Sequence, residues 1–164
     1  MDTETRIRKI LMVEDDPQDV ELTLAALEEH HQAGRVVVVR DGEKALDYLY
    51  RRGEFKTRSG GDPVLVMLDL KMPKVNGLQV LKIIKADAYL QVIPVVVLSS
   101  SRETADLVGC YKHGANAYVV KPVDFSVFLK TVKQLVLFWA DINEPPPLAW
   151  REEAGTQNGR GVLL

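Results

Sequence analysis

The 164-residue sequence has a single cysteine, Cys110, so it can form no internal disulfide and no cysteine-based zinc cluster. Neither sign of charge is in excess: 21 Lys and Arg stand against 23 Asp and Glu, a formal net charge of −2. A dedicated nucleic-acid binder would carry a basic surplus or stripe, and this chain has none. No apolar run approaches the ~18 residues of a membrane span. The opening MDTETRIRK has no apolar stretch of the kind a secretory leader needs. These absences predict a reduced, cytoplasmic protein with neither nucleic acid nor membrane as partner. What is there, 46% hydrophobic and 27% charged residues, is the composition of a globular protein, and the length suits about one domain.

Short apolar runs alternate with segments of helical period, five times over. Ile10–Val13 is followed by Glu14, Asp15 and Asp16. Asp16 is placed to cap a helix that Pro17 begins, bearing Val20, Leu24, Leu27 and His31 and ended by Gly34. Val36–Val39, β-branched throughout, reads as a buried strand. Asp41-Gly42 opens a helix with Ala45, Leu46 and Leu49, and the polar stretch 51–62 reads as a loop. The run 64–68 ends at Asp69, and a turn through Pro73 and Asn76-Gly77 leads to a helix with Leu78, Leu81 and Ile84. The run 95–98 ends at Ser99-Ser100-Ser101, before a helix over 102–112 that stops at His113-Gly114. The run 118–120 ends at Lys121-Pro122, and a last helix puts Phe125, Phe128, Leu129, Val132, Val136 and Trp139 on one face.

Strands apolar on both sides imply helices on both faces of a parallel sheet. A closed eight-fold barrel would need roughly 250 residues, so the expected fold is an open, doubly wound α/β sheet. From Asp141 the pattern dissolves: Glu144-Pro145-Pro146-Pro147 forces an extended segment, and 151–164 reads as flexible.

In open α/β sheets ligands bind outside the carboxyl ends of the strands. There this chain places Glu14, Asp15 and Asp16 after its first strand and Asp69 after its third, with Ser99 and Lys121 after the fourth and fifth. An acid in such a place is often only a helix cap, a serine a turn residue and a lysine a solvated charge. Their conjunction at one edge is the informative feature. Crowded carboxylates take up a proton or are neutralised by a cation, and Mg²⁺ uses one or two carboxylates, water and often a phosphate oxygen. With a lysine and a hydroxyl opposite, the set suits phosphoryl binding, with Asp69 as nucleophile. No P-loop is present to cradle a nucleotide.

Four stretches carry a specific resemblance: 11–16 (LMVEDD), 68–77 (LDLKMPKVNG), 96–100 (VVLSS) and 118–122 (YVVKP). In order and spacing they resemble a two-component response regulator receiver domain, a likeness that covers about residues 6–138. The resemblance implies a flavodoxin-like (βα)5 fold with strand order 2-1-3-4-5, a receiver over 6–140 and a Pro-rich extension over 141–164. It implies that Asp69 is the phosphoacceptor for a sensor histidine kinase and that Mg²⁺ is held by Asp15, Asp69 and the backbone carbonyl of Lys71, with Glu14 acting mainly through water. It further implies Ser99 and Tyr118 as switch residues, Lys121 as the phosphate-binding lysine, Ser101 at a position that influences hydrolysis, and a cis Lys121-Pro122 bond. On phosphorylation Ser99 would move toward the phosphoryl group, Tyr118 would swing inward, and the surface of the fourth helix, fifth strand and fifth helix would change.

The stretch 48–55 (YLYRRGEF), the long loop before the third strand, and the ending Phe138-Trp139…Asn143-Glu144-Pro145-Pro146-Pro147 are similar to stand-alone regulators paired with bacterial phytochrome kinases. That likeness implies a homodimer on the same surface, helped by the C-terminal extension; burial of 135–139 under Leu148 and Trp150 is the simpler account. Only about 25 residues follow the last helix, too few for a DNA-binding effector domain.

Other readings are weaker. An aspartyl phosphatase of the haloacid dehalogenase type would want an acid two residues after its nucleophile, where this chain has Lys71. A flavin module would want a hydroxyl- or Gly-rich phosphate loop where Glu14-Asp15-Asp16 stands. A pseudo-receiver that is never phosphorylated is opposed only by the completeness of the site. His30, His31 and His113 lack metal-ligand spacing, and the first two read as closing a helix. Cys110 reads as packing.

Overall fold

A computed structural model of the chain describes residues 8–29 and 31–147. Five strands, β1 (Ile10–Val13), β2 (Val36–Val39), β3 (Leu65–Leu68), β4 (Val95–Ser99) and β5 (Ala117–Val120), form one parallel sheet in the order β2-β1-β3-β4-β5. They alternate with α1 (Pro17–Glu28), α2 (Gly42–Tyr50), α3 (Gly77–Ala86), α4 (Thr104–Lys112) and α5 (Phe125–Val136). This is the expected flavodoxin-like fold, and its physical basis is the two-sided apolarity of the strands. Leu11, Val13, Val66, Leu68, Val95 and Val97 pack on one face with Leu46, Leu49, Leu81 and Ile84 from α2 and α3. Ile10, Met12, Leu65, Met67, Val96 and Leu98 pack on the other with Val20 and Leu27 from α1 and Phe128, Val132 and Val136 from α5. Successive strand residues thus feed opposite cores.

The helices begin where capping chemistry allows. Asp16, Asp41 and Asp124 each accept a backbone N–H from the first turn of α1, α2 and α5. Asn76 and Gln79 form a reciprocal capping box at α3. Gly77 has no alternative: a Cβ there would lie 2.1 Å from the backbone oxygen of Asp69 and 2.7 Å from the Cα of Leu70. The start of α3 therefore rests directly on the backbone that carries Asp69.

Several local expectations are corrected. β2 is an edge strand, and only Val39 of its four valines is fully buried. α1 ends at Glu28, before His31, which adopts a left-handed φ of 56° and donates its backbone N–H to Glu28 O at 3.0 Å. Phe125 is not on the packing face of α5: as the first helical residue it is 51% exposed. The helical path does not dissolve at Asp141 but runs on as a π-helical turn, Leu137–Ile142. Arg35 holds that turn through Asp141 at 2.8 Å, and Arg8 donates to the carbonyl of Ala140 at 3.1 Å.

The loop 51–62 contains a 3-10 turn, Gly53–Phe55, and is organised by Arg58. The Arg58 guanidinium lies 4.1 Å from the Tyr48 ring centroid and donates to the carbonyls of Tyr48 and Gly61. No described peptide bond is cis, so Lys121-Pro122 is trans rather than cis; an X-Pro amide has only a small intrinsic preference between the two. His30, Leu148, Trp150 and the stretch 151–164 lie outside the described residues. Among the described residues no helix is long and apolar enough to cross a membrane.

Candidate functional site

The strand ends converge because β1 and β3 are neighbours in register, Val13 beside Leu68. The next residue of each, Glu14 and Asp69, thus emerges side by side at the carboxyl edge of the sheet. Carboxylate oxygens of Glu14, Asp15 and Asp69 all lie within 4.8 Å of one another. Glu14 and Asp69 are buried and Asp15 half-buried. Lys121, at the end of β5, reaches across the edge: its Nζ is 2.7 Å from Glu14 Oε2 and 3.8 Å from Asp69 Oδ1.

The electrostatics follow from burial. Desolvation pushes the Glu14 carboxyl up to about 7, against the pull of Lys121, and it raises Asp69 as well. Burial works against the Lys121 charge too, yet hydrogen bonds from its ammonium to Glu14 and Asp19 more than offset this and raise it above the ordinary lysine value. One ammonium facing several carboxylates leaves the edge short of positive charge. Three carboxylates within one coordination sphere of each other are the donor set of a hard divalent cation, so the residues fit the expected metal.

Ser99, 1% exposed, closes β4 beside this cluster, and its Oγ accepts the backbone N–H of Ser101 at 3.2 Å. Tyr118, half-buried on β5, donates its hydroxyl to the carbonyl of Ser101 at 2.9 Å. Ser101 in turn donates its own hydroxyl to Asp106 on α4 and accepts the N–H of Glu103. The two expected switch residues therefore meet at one loop residue, which is tied to the first turn of α4. Lys71 is exposed in the β3–α3 connection, two residues beyond Asp69. Asp16 is the α1 cap, accepting the N–H of Gln18 at 2.9 Å.

Sequence reasoning missed Asp19. Its Oδ2 is 2.9 Å from Lys121 Nζ, so it is a further ion-pair partner of that lysine beside Glu14 and Asp69. Asp19 is the third residue of α1, in the first turn beyond the site, and nothing local in the sequence pairs it with Lys121.

A sheet of this order, with clustered acids after β1 and β3 and a lysine after β5, defines a class of protein, and the comparisons identify it. Residues 10–133 match the model of the response regulator receiver domain. The chain belongs to that family, whose members are regulatory proteins of two-component signalling. Response regulator Rcp1 of Synechocystis is 33% identical over 132 residues, 80% of this chain and 88% of its own length. The structure described as the phosphorylated cyanobacterial phytochrome response regulator RcpA superposes with a TM-score of 0.79 at 38% identity, covering 85% of this chain and 99% of that one. The bacteriophytochrome response regulator AtBRR is 55% identical at a TM-score of 0.67, again over 85% and 99% of the two chains.

Proposed function

We propose that this chain is a stand-alone response regulator that takes a phosphoryl group from a sensor histidine kinase onto Asp69 and passes the signal through its α4–β5–α5 surface. The observation that carries this reading is the cluster of Glu14, Asp15 and Asp69, two of them buried, facing Lys121 at the carboxyl edge of the sheet. An Asp69 carboxylate oxygen attacks phosphorus, the bond to the donor breaks, and the donor leaves with that electron pair. Glu14, Asp15, Asp69 and the backbone carbonyl of Lys71 would hold Mg²⁺, which when bound would supply positive charge to neutralise the crowded carboxylates and a phosphoryl group. That a structure of Rcp1 is described as Mn²⁺-bound supports a divalent cation in this place.

Lys121 provides the second positive charge, leaving Glu14 for a phosphoryl oxygen. Ser99 donates its hydroxyl to another such oxygen. Its movement releases the N–H of Ser101, and with Ser101 the carbonyl that Tyr118 binds and the first turn of α4. The readout is thus mechanical as well as electrostatic. Residues 6–140 act as the receiver and 141–164 as an extension that supports a homodimer. The names of AtBRR and RcpA support a bacterial phytochrome as the kinase, and a cytoplasmic location is part of the same reading.

Intact-protein mass after incubation with acetyl phosphate and Mg²⁺ tests the assignment. A single phosphoryl adduct is expected, absent with EDTA and absent in Asp69→Asn. An adduct that survives Asp69→Asn puts the acceptor elsewhere. No adduct from acetyl phosphate, from a phosphorylated phytochrome kinase or from any other donor makes the chain a pseudo-receiver.

A further inference from the structure

Lys121 lies closer to two other carboxylates than to Asp69. Its Nζ sits 2.7 Å from Glu14 and 2.9 Å from Asp19, and only 3.8 Å from the carboxylate it is to serve. Asp19 is the third residue of α1, the position whose acid commonly folds back on the helix cap. Here the backbone N–H of Asp16 is taken by Glu14 Oε1 at 3.1 Å instead, and the Asp19 carboxylate is turned to Lys121. The pair joins residues 102 apart in sequence, with Lys121 13% and Asp19 26% exposed at the side chain. It ties the first turn of α1 to the end of β5 across the mouth of the site.

We propose that Asp19 is a positioning residue for Lys121, holding the ammonium on the α1 side of the site while Asp69 is unmodified and yielding it when a phosphoryl group arrives. This rests on Asp69 being the phosphoacceptor. Its consequence is a tether opposed to phosphorylation: the Lys121–Asp19 pair must break before Lys121 can meet a phosphoryl oxygen. The same tether makes the orientation of the α1 terminus depend on whether Lys121 has left.

The test uses beryllofluoride, a phosphoryl mimic, titrated at saturating Mg²⁺ into the full chain. Asp19→Asn should bind it roughly fivefold more tightly, the scale of a partly exposed ion pair. Asp16→Asn removes one carboxylate from the same turn while keeping a capping side chain, and should leave the affinity within about twofold. In a Lys121→Met background, Asp19→Asn should have no further effect. In the metal-free proteins the Lys121 side-chain NMR resonances should shift in Asp19→Asn and not in Asp16→Asn. Equal effects of the two substitutions, or an Asp19→Asn effect that persists without Lys121, would overturn the proposal in favour of simple charge removal. Unmoved Lys121 resonances in a folded Asp19→Asn protein would overturn it outright. If the unsubstituted chain takes no beryllofluoride at all, the phosphoacceptor reading fails, while the metal-free spectra still decide the Lys121–Asp19 contact.

Discussion

At the scale of single residues, one buried and one half-buried polar group outside the site have readable energetics. Thr23 on α1 is fully buried, and its hydroxyl has no hydrogen-bond partner among the described residues. A buried polar group left unpaired costs about 1–3 kcal/mol, while Thr and Val have similar helix propensity and shape. Thr23→Val should therefore stabilise the chain by about 1 kcal/mol, read as a raised midpoint of urea unfolding at unchanged slope. Lys85 is the second case. Burial pulls its ammonium down to about 8, while its Nζ donates to the carbonyls of Gln91 at 3.0 Å and Ile93 at 2.8 Å. A lysine whose value is lowered by folding leaves the native state with fewer bound protons than the unfolded chain between about pH 8 and the ordinary 10.5. Stability from this group is therefore lowest below pH 8 and rises with pH through that window. Lys85→Met should flatten that rise, and denaturation series at pH 7, 8.5 and 10 on both proteins measure it. An identical pH profile in the two would show that the two carbonyls hold the ammonium at its ordinary value.

At the scale of elements, Gly77 joins fold and site most directly. A methyl group there would meet the backbone of Asp69 and Leu70, not the end of a flexible side chain. Gly77→Ala should cost about 3 kcal/mol, at the upper end of overpacking, and should slow phosphorylation by displacing the Asp69 backbone. Chemical denaturation and the phosphoryl-adduct assay check the two effects separately. Such backbone crowding is invisible in sequence, where Asn76-Gly77 reads only as a turn. What was legible was whatever depends on neighbours along the chain. The five strands announced themselves because residues such as Leu65, Val66 and Met67 are apolar without alternation, and Glu14, Asp69, Ser99 and Lys121 because each follows such a run directly. The edge position of β2 was not legible, since Val36–Val39 looks the same whether covered on two sides or one. Nor was the turn Leu137–Ile142, because Arg35 and Arg8, which hold it, are more than 100 residues away in sequence. Asp19 stayed hidden for the same reason: its meaning lies in Lys121, which only the β1–β3–β4–β5 order brings near.

At the scale of the whole molecule, the β5 edge of the sheet stands beside exposed apolar side chains. β5 is an edge strand with no fully buried residue, and apolar side chains stand exposed on the helices that flank it: Val108 and Tyr111 on α4, Val127 on α5, and Leu137 and Phe138 on the turn that prolongs α5. Phe138 and Trp139 form an edge-to-face pair, with ring centroids 5.1 Å apart, at the point where the extension leaves the domain. Apolar exposure of this kind beside an open sheet edge is the chemistry of self-association, and the proposed homodimer would cover it. Interface energy concentrates in a few buried aromatics, so Tyr111→Glu on α4 and Phe138→Glu on the extended α5 should each weaken dimerisation at least about tenfold. Both side chains are about half exposed in the single chain, so neither change should lower its thermal stability much. Sedimentation equilibrium with and without beryllofluoride gives the dissociation constants. Loss of dimer in both variants places the interface on the α4–β5–α5 face. Loss in Phe138→Glu alone assigns it to the extension, and an unaffected dimer in both moves it to another surface. Because Ser101 ties the loop after β4 to α4 and to Tyr118, an interface on that face should also respond to the phosphoryl mimic, with Ser101→Ala reducing the response while leaving the unmodified dimer in place.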